Sequence, residues 1–498
     1  MDLFVVGFGV AFSAQNLLYC FLGVFLGTFI GVLPGVGALA AVSLLLPISF
    51  YLEPTTALVM LAGVYYGAEY GGSTASILLN LPGTASNAVT CLDGYPMARQ
   101  GRAGIALFVT TIASFLGGSV GILLMSFLTP AIMAMAFSFG PAEYFAAMLF
   151  GLLAAATIAS GAPAKGLAMV TLGLIFGTVG MDINTGLDRF TFGRLELFDG
   201  FSVAILAMGL FGVSEVIASI GIQRNKISAK EITLRSMMPT RDDVKRSVFP
   251  IIRGSAVGSF FGPLPATGPS ISAFLAYVLE KRFARKPERF GKGAVEGIAA
   301  PEAANNAAAQ TSFIPTLALG IPGSATMAIL LGAMMVHGVQ PGPRLILDRP
   351  DVFWGLVASF WIGNLLLLVL NIPLIGIWVR ILQIPYRFLH PTIIALICLG
   401  VYSINNSVFD VWLVLLFGLL GYFMKLLDFE PAPLLIGFIL GPMIEENFRR
   451  AMLLAHGDPL QLLYRPISGS LLVLAFGILL WLVASSFHSR WRANVSPE

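Results

Sequence analysis

The sequence predicts an all-α polytopic membrane protein made of two inverted-topology repeats, with re-entrant or broken helices and about 10–12 transmembrane segments. Three observations lead to this fold class: an apolar composition, an internal repeat and a reversal of charge between the repeats. Of the 498 residues, 57% are hydrophobic and only 11% are charged, and the mean hydropathy is +0.86. A soluble domain cannot bury that much apolar surface, so lipid must be the solvent.

Apolar stretches of about 20 residues recur along the chain, and each is long enough to cross the roughly 30 Å hydrocarbon core. Examples are residues 104–123, 200–220 and 470–487. The 54 glycines and 29 prolines, many of them inside apolar runs, predict that several helices are broken. The N-terminus lacks a basic start, so a cleaved signal peptide is not expected. The three widely spaced cysteines predict neither a disulfide framework nor a metal site.

The internal repeat consists of short motifs that recur in the same order and at similar spacing. The matched segments are 27–37 with 258–268, 67–69 with 300–302, 79–85 with 319–325, and 150–153 with 417–420. Such a series indicates a duplication. We therefore divide the chain into a first transmembrane repeat (1–223), a basic cytoplasmic linker (224–246) and a second transmembrane repeat (247–498).

The distribution of charge predicts that the two repeats have opposite orientations. Residues 224–246 hold seven basic and three acidic side chains, and residues 281–292 hold six basic and one acidic. The positive-inside rule places both segments in the cytoplasm. The corresponding segments of the first repeat, residues 1–13 and 50–56, contain no Lys or Arg. This reversal is typical of inverted repeats.

Each repeat contains a turn with a Pro-x-x-Gly pattern, followed by an arm that is too short to span. The turn residues are Pro34, Gly35 and Gly37 in the first repeat and Pro265, Thr267 and Gly268 in the second. The arms cover residues 37–47 and 267–279, and a helix of about 13 residues is only roughly 20 Å long. We predict a helix pair folded at each turn, with a re-entrant or half-spanning second arm, and assign the turn residues to the substrate site.

A Pro-Gly motif followed by polar residues marks a second kind of helix break in each repeat. Its residues are Pro82, Gly83, Thr84, Ser86 and Asn87 in the first repeat and Pro322, Gly323, Ser324 and Thr326 in the second. Helix starts can bind an anion through free N–H groups and the positive end of the helix dipole. The alternative is a kink that serves packing. Matched motifs in oppositely oriented halves favour a shared site for a carboxylated solute, whereas the glycine ladders spaced four residues apart are packing devices.

Two acidic residues lie at matching places within apolar sequence. Glu69 is followed by Ser73, and Glu302 by Asn305 and Asn306. Carboxylates inside a membrane are costly unless they are paired or hydrated, so these five residues are candidates for proton or cation coupling. The structural alternative, in which each carboxylate caps a helix or lies near the interface, remains open.

Residue chemistry gives little support for catalysis. The four histidines lack metal-ligand spacing and no Walker A sequence is present, so neither ATP hydrolysis nor a bound metal or organic cofactor is expected. The only cofactor in this interpretation is Na⁺ or H⁺ as the coupling ion. The alternatives to a secondary transporter are a passive carboxylate channel and an intramembrane enzyme.

Eight motifs give the chain its resemblance to the large membrane subunit of the tripartite tricarboxylate transporters (the TctA family). They are residues 31–37, 66–74, 80–86, 93–96, 301–306, 319–324, 400–406 and 440–447, which together span nearly the whole chain. The resemblance implies a small four-helix membrane subunit and a periplasmic substrate-binding protein as partners. It also implies import of citrate or related carboxylates across the bacterial inner membrane, driven by Na⁺ or H⁺.

Overall fold

The computed structural model describes residues 2–157, 163–182, 185–220, 232–265, 267–382, 384 and 386–495. Helices dominate these ranges, and a short antiparallel pair, β1 (Gly180–Met181) and β2 (Asp188–Arg189), supplies the strands among them. Six helices in the described part of the chain are long and apolar enough to cross a membrane. The predicted all-α polytopic membrane protein is therefore confirmed.

The α-helices of the first half are α1 (Asp2–Ala11), α2 (Ala14–Val32), α3 (Gly37–Ser49), α4 (Pro54–Leu79), α5 (Cys91–Arg99), α6 (Ala103–Ala136), α7 (Pro141–Ala156), α8 (Pro163–Gly177), α9 (Val203–Ala207) and α10 (Ser214–Ala218). Short 3-10 helices cover Ala85–Ala88 and Leu195–Leu197, and a π-helical stretch (Met208–Val213) joins α9 to α10.

The second half contains α11 (Arg241–Phe261), α12 (Gly268–Phe283), α13 (Glu296–Thr311), α14 (Phe313–Leu319), α15 (Ala325–Val336), α16 (Leu345–Asp348), α17 (Pro350–Asn371), α18 (Ile375–Ile381), α19 (Tyr386–Asn405), α20 (Val408–Leu426), α21 (Pro431–Leu454), α22 (Leu460–Tyr464) and α23 (Pro466–Val495). A 3-10 helix covers Pro287–Arg289. Pro315 explains why α13 and α14 are separate, because a proline ring clashes with the carbonyl four residues earlier, at Thr311.

The two halves pack in the same manner and exchange one helix each. Within the halves, α2 packs along α4 and α11 packs along α13. Across the halves, α6 packs against α13 and α17 packs against α4. Each repeat therefore contributes one helix to the packing of the other repeat. Their opposite orientation in the membrane stays a prediction, as does the division of the chain into domains.

Helices α4 and α13 form the centre of the molecule, and nearly all of their residues are buried. The glycine ladders allow this close packing. The ladders are Gly23, Gly27, Gly31 and Gly35 in the first half and Gly254, Gly258 and Gly262 in the second. A Cβ at Gly27 would lie 2.7 Å from the Val64 Cα, and one at Gly258 would lie 2.7 Å from the Ala304 Cα. Because neither distance leaves room for a methyl group, the predicted packing role of the ladders is confirmed.

Three predicted boundaries differ from the structure. Helix α3 ends at Ser49, two residues beyond the predicted arm. Helix α12 has 16 residues and extends to Phe283, four residues beyond the predicted arm, because Glu280 in its last turn is held by Arg253 of α11. Residues 241–246 of the predicted linker form the first turns of α11, where the Thr240 hydroxyl caps the Asp243 N–H at 3.2 Å. Linker residues 224–231 lie outside the described residues.

Candidate substrate and coupling site

The turns and the Pro-Gly motifs of both halves meet in one region. In the first half, the Gly35 N–H donates to the Pro82 carbonyl at 3.2 Å. In the second half, a Cβ on Gly268 would lie 3.5 Å from the Cβ of Ser324. The two halves also contact each other here, because α12 packs on the 3-10 helix Ala85–Ala88 and α15 packs on α3.

Both turns depend on glycine or on a local hydrogen bond. Gly35 and Gly37 have φ values of +85° and +77°, which L side chains rarely adopt. In the second turn, the Thr267 hydroxyl donates to the Leu264 carbonyl at 2.9 Å, while Pro265 is half-buried beside it. These residues shape the turns on which the two Pro-Gly motifs pack.

The first Pro-Gly motif ends α4 without starting an α-helix. Asn80 takes a left-handed conformation, and the Gly83 N–H donates to the Gly72 carbonyl at 3.3 Å. The next element is the 3-10 helix Ala85–Ala88, and α5 begins only at Cys91. A helix therefore starts directly after this motif, as expected, but it is a single turn of 3-10 helix and not an α-helix. The physical reason is that the polar side chains after Gly83 hydrogen bond to one another and to Glu69 instead of capping a helix.

The second Pro-Gly motif does start a helix. Pro322 and Gly323 follow the left-handed Gly320, and α15 begins at Ala325. The Ser324 hydroxyl caps it by accepting from the Met327 N–H at 3.3 Å. A helix has four N–H groups without internal partners, so this cap leaves others at the helix end available to a ligand. Thr326, in the first turn, is buried.

Glu302 lies on α13, and side chains of the first half surround its carboxyl group. Its Oε1 accepts hydrogen bonds from Ser73 Oγ at 2.7 Å and from Thr90 Oγ1 at 2.5 Å. Its Oε2 accepts from Ser114 Oγ of the exchanged helix α6 at 3.2 Å. Three hydroxyl donors from one half therefore hold the acidic residue of the other half.

Glu69 lies on α4 and contacts the first Pro-Gly motif. Its Oε2 accepts from Thr84 Oγ1 at 3.2 Å and from the Ser86 hydroxyl. The Asn305 amide of the second half lies beside this carboxyl group. Neither polar atom of that amide completes a hydrogen bond of ordinary geometry.

Asn87 links the two carboxyl groups. Its Nδ2 donates to Ser73 Oγ at 2.8 Å, and its Oδ1 accepts from Thr84 Oγ1 at 2.5 Å. Thr84 also contacts Glu69, to which it can donate its single proton in place of Asn87, and Ser73 also contacts Glu302. These five side chains therefore form one continuous set of hydrogen-bonding contacts. We call it the carboxyl network (Glu69, Thr84, Asn87, Ser73 and Glu302).

The two carboxyl groups of the carboxyl network are buried. Glu69 is 5% exposed and Glu302 is 1% exposed. Within the described ranges, neither carboxyl group forms an ion pair with Lys, Arg or His. Buried carboxylates without a cationic partner are costly, so each has to be neutralised by a proton or a bound cation.

Unpartnered oxygens lie on the same helix as Glu302. Asn305 Oδ1, Asn306 Oδ1 and Gln310 Oε1 are all buried and have no hydrogen-bond donor among the described residues. The Asn306 amide uses its Nδ2 to donate to the Glu302 carbonyl at 3.1 Å, which leaves its oxygen free. Amide and carboxylate oxygens are ligands for a hard cation. These oxygens are therefore candidate ligands for the coupling ion.

Exposure differs between parts of this region. Gly35 of the first turn and Ala85 are exposed and Ser324 is half-buried, whereas Gly83, Pro322 and Gly323 are buried. Glu69 and Glu302 are buried as well. In this conformation only the backbone around Gly35, Ala85 and Ser324 is accessible, while the carboxyl network is enclosed.

Four residues of this region carry no role in the sequence analysis: Thr90, Ser114, Gln310 and Asp93. Hydroxyl side chains are common in apolar helices, so nothing marked Thr90 or Ser114. Asp93 did have a signal in the sequence, because it belongs to the motif 93–96, and the structure shows that its carboxylate is buried. Its role depends on contacts with the second half, which sequence spacing does not show.

Comparisons with known proteins agree with these features. The family model described as the Tripartite tricarboxylate transporter TctA family matches residues 17–436. An Agrobacterium vitis protein, described as an uncharacterized 52.8 kDa protein in the TAR-I ttuC' 3' region, is 47% identical over 97% of this chain and 96% of its own length. A second Agrobacterium vitis protein, described as uncharacterized in the TAR-II ttuC' 3' region, is 49% identical over 47% of this chain and 96% of its own length. No solved structure matches.

Proposed function

The chain belongs to the tripartite tricarboxylate transporter TctA family, and from this we propose that it is the large permease subunit of a binding-protein-dependent secondary transporter. The substrates are tricarboxylates of the citrate type or related carboxylates, and uptake is coupled to a Na⁺ or H⁺ gradient. The partners are a small four-helix membrane subunit and a periplasmic binding protein, and the complex lies in the bacterial inner membrane.

The observation that carries this proposal is the carboxyl network. It joins Glu69 of one half to Glu302 of the other through Asn87 and Thr84, which belong to the first Pro-Gly motif. A purely structural polar cluster would be expected to satisfy its own groups, yet the oxygens of the neighbouring Asn305 and Asn306 have no donor among the described residues. An unsatisfied set of oxygens beside two buried carboxyl groups favours a coupling-ion site.

Electrostatics explains how such a site would couple cation and substrate. Two carboxylates in a low-dielectric interior repel an anionic solute placed near them. A proton or Na⁺ bound to the network removes this repulsion and allows a carboxylate to bind at the N–H groups of the α15 end and the accessible backbone around Ala85. Each ligand then strengthens the binding of the other, which is the thermodynamic basis of symport.

The test is uptake into proteoliposomes that contain this chain with its two partner subunits. Labelled citrate should accumulate when an inward Na⁺ or H⁺ gradient is imposed and should stop accumulating when both gradients are collapsed. Accumulation that is indifferent to both gradients would contradict secondary transport.

A passive carboxylate channel is the alternative to a carrier. It is distinguished by counterflow, in which unlabelled internal substrate drives transient uptake of labelled external substrate. A carrier gives saturable counterflow, whereas a channel gives none. The enclosed position of Glu69 and Glu302 favours the carrier, because an open pore would hydrate groups at its centre.

A further inference from the structure

A basic groove lies between the ends of α11 and α12, apart from the carboxyl network. Its volume is about 540 Å³. Six cations line it, against only two acidic residues, Glu280 and Glu296, which gives an excess of four positive charges. The cations are Lys245, Arg246, Arg253, Arg285, Lys286 and Arg289.

Two ion pairs stabilise the walls of this groove, and they involve both of its acidic residues. Arg253 of α11 binds Glu280 of α12 through two hydrogen bonds of 2.8 and 2.7 Å. Arg246 binds Glu296, at the start of α13, through bonds of 2.7 and 2.5 Å. The Phe290 ring, buried against Tyr277, anchors the loop that closes the groove. The groove is therefore built by tertiary contacts.

The other four cations have no acidic partner. Lys245, Arg285, Lys286 and Arg289 form no ion pair within the part of the chain that the structure describes. Arg and Lys at such spacing attract a phosphate group, which accepts several charge-assisted hydrogen bonds. The segments that carry them are those that the positive-inside rule places in the cytoplasm.

An apolar groove of about 400 Å³ lies on the neighbouring face of α11, between this helix and α6. It is lined by Phe108, Ile112, Leu116, Val244, Val248 and Ile252, among others. The 3.6-residue period places Lys245 next to Ile252 around the helix, so the two grooves adjoin there. Phe249 and Ile252, 65% and 58% exposed, continue the apolar surface between them. A free phosphate ion would leave this apolar face uncovered, whereas an acyl chain would cover it.

We propose that the two grooves together bind one anionic phospholipid of the cytoplasmic leaflet. Its phosphate lies among Lys245, Arg285, Lys286 and Arg289, and an acyl chain lies along Val248 and Ile252 between α6 and α11. The site holds α11 against α6, which packs on the helix that carries Glu302.

The test uses the full-length chain in a neutral detergent, with phosphatidylglycerol, phosphatidylcholine of the same acyl chains and inorganic phosphate as probes. Native mass spectrometry measures retained lipid, and thermal unfolding measures the shift of the midpoint. The groove variant carries Arg285→Gln, Lys286→Gln and Arg289→Gln. The matched control carries Arg241→Gln, Lys281→Gln and Arg282→Gln, exposed cations of α11 and α12 that do not line the groove.

Phosphatidylglycerol should be retained and should raise the unfolding midpoint of the unmodified chain, and phosphatidylcholine should do neither. The groove variant should bind phosphatidylglycerol at least about tenfold more weakly, while the control should keep its affinity. An equal loss of phosphatidylglycerol affinity in both variants would show that binding depends on diffuse surface charge and would contradict the proposed site. Competition by millimolar inorganic phosphate would show a small-anion site instead. Should the triple variant fail to purify, Arg285→Gln with Lys286→Gln alters only two exposed side chains and carries the same expectation.

Discussion

Asp93 Oδ1 accepts a 2.8 Å hydrogen bond from the backbone N–H of Gly293, a residue 200 positions further along the chain. The Ala294 N–H donates to the same oxygen at 2.7 Å, and the Tyr277 hydroxyl donates to Oδ2 at 3.0 Å. Gly293 and Ala294 lead directly into α13, which carries Glu302. A carboxylate of the first half thus satisfies free N–H groups near the start of the central helix of the second half.

We expect Asp93→Asn to destabilise the protein by about 1–3 kcal/mol, because a neutral amide oxygen accepts from the Gly293 and Ala294 N–H groups more weakly than a carboxylate does, and the amide NH₂ replaces the oxygen that accepts from Tyr277. Tyr277→Phe removes only one of the three hydrogen bonds and should cost less. Thermal unfolding in detergent measures both. Equal midpoints for Asp93→Asn and the unmodified chain would show that the contact does not hold α13.

Glu302→Gln should separate substrate exchange from ion-driven uptake. The substitution keeps an acceptor for Ser73 and Thr90 but removes the group that takes up a proton or cation. We expect counterflow of labelled citrate to persist while the stimulation by a Na⁺ or H⁺ gradient is lost. Glu446→Gln is the control, because Glu446 is 53% exposed and, among the described residues, pairs only with Arg450 one turn away. Gradient-driven uptake at normal rates by Glu302→Gln would exclude Glu302 as a coupling residue.

Asn87→Ala should raise the apparent KM for substrate, because it removes the side chain that links Ser73 to Thr84. Ser324→Ala should do the same by removing the cap of α15, at a cost of about 1 kcal/mol in stability. The measurement is the apparent KM for citrate, with insertion checked by the amount of purified protein. Ser470→Ala, at an exposed position, is the control. Unchanged KM values in both site variants would refute the role of the Pro-Gly motifs.

Gly258→Ala should destabilise the protein by about 1–3 kcal/mol, since the added methyl group would lie 2.7 Å from the Ala304 Cα and force α11 away from α13. Gly477→Ala is the matched control. No atom lies within 4 Å of a Cβ at that helical position, so alanine there should be neutral or stabilising. Thermal unfolding compares the two, and a Gly258→Ala midpoint equal to that of Gly477→Ala would contradict the packing argument.

Single cysteines at positions 53 and 286 test the opposite orientation of the repeats. In a background without Cys20, Cys91 and Cys398, Glu53→Cys and Lys286→Cys should react with a membrane-impermeant maleimide from opposite sides. Labelling is compared in intact spheroplasts and in inverted vesicles. Reaction of both cysteines from one side would refute inversion.

The features of the fold that depend on local composition could be predicted from the sequence. Apolar runs, the glycine ladders and the Pro-Gly breaks all lie in stretches whose composition limits their conformation. Glu69 and Glu302 stood out because a carboxylate inside apolar sequence is rare. The structure places both on the central helices.

What sequence did not show depends on contacts between distant segments. The 3-10 helix after Gly83 forms because Thr84 and Asn87 bond within the carboxyl network, and α12 is extended by the Glu280 pair with Arg253. Ser114 reaches Glu302 only because α6 crosses to the second half. Nothing in the sequence distinguishes the Ser114 hydroxyl from the many others in apolar helices, so this contact could not be predicted.

The exchange of α6 and α17 between the halves also has a consequence for biosynthesis. Ser114 is made 188 residues before Glu302, which at translation rates of about 5–20 residues per second is an interval of roughly 10–40 s. Throughout that time α6 has to reside in the bilayer, or with the insertion machinery, without the helix it finally packs on. The first repeat cannot reach its mature packing on its own. Assembly must therefore wait until the ribosome has nearly finished the second repeat's central helices.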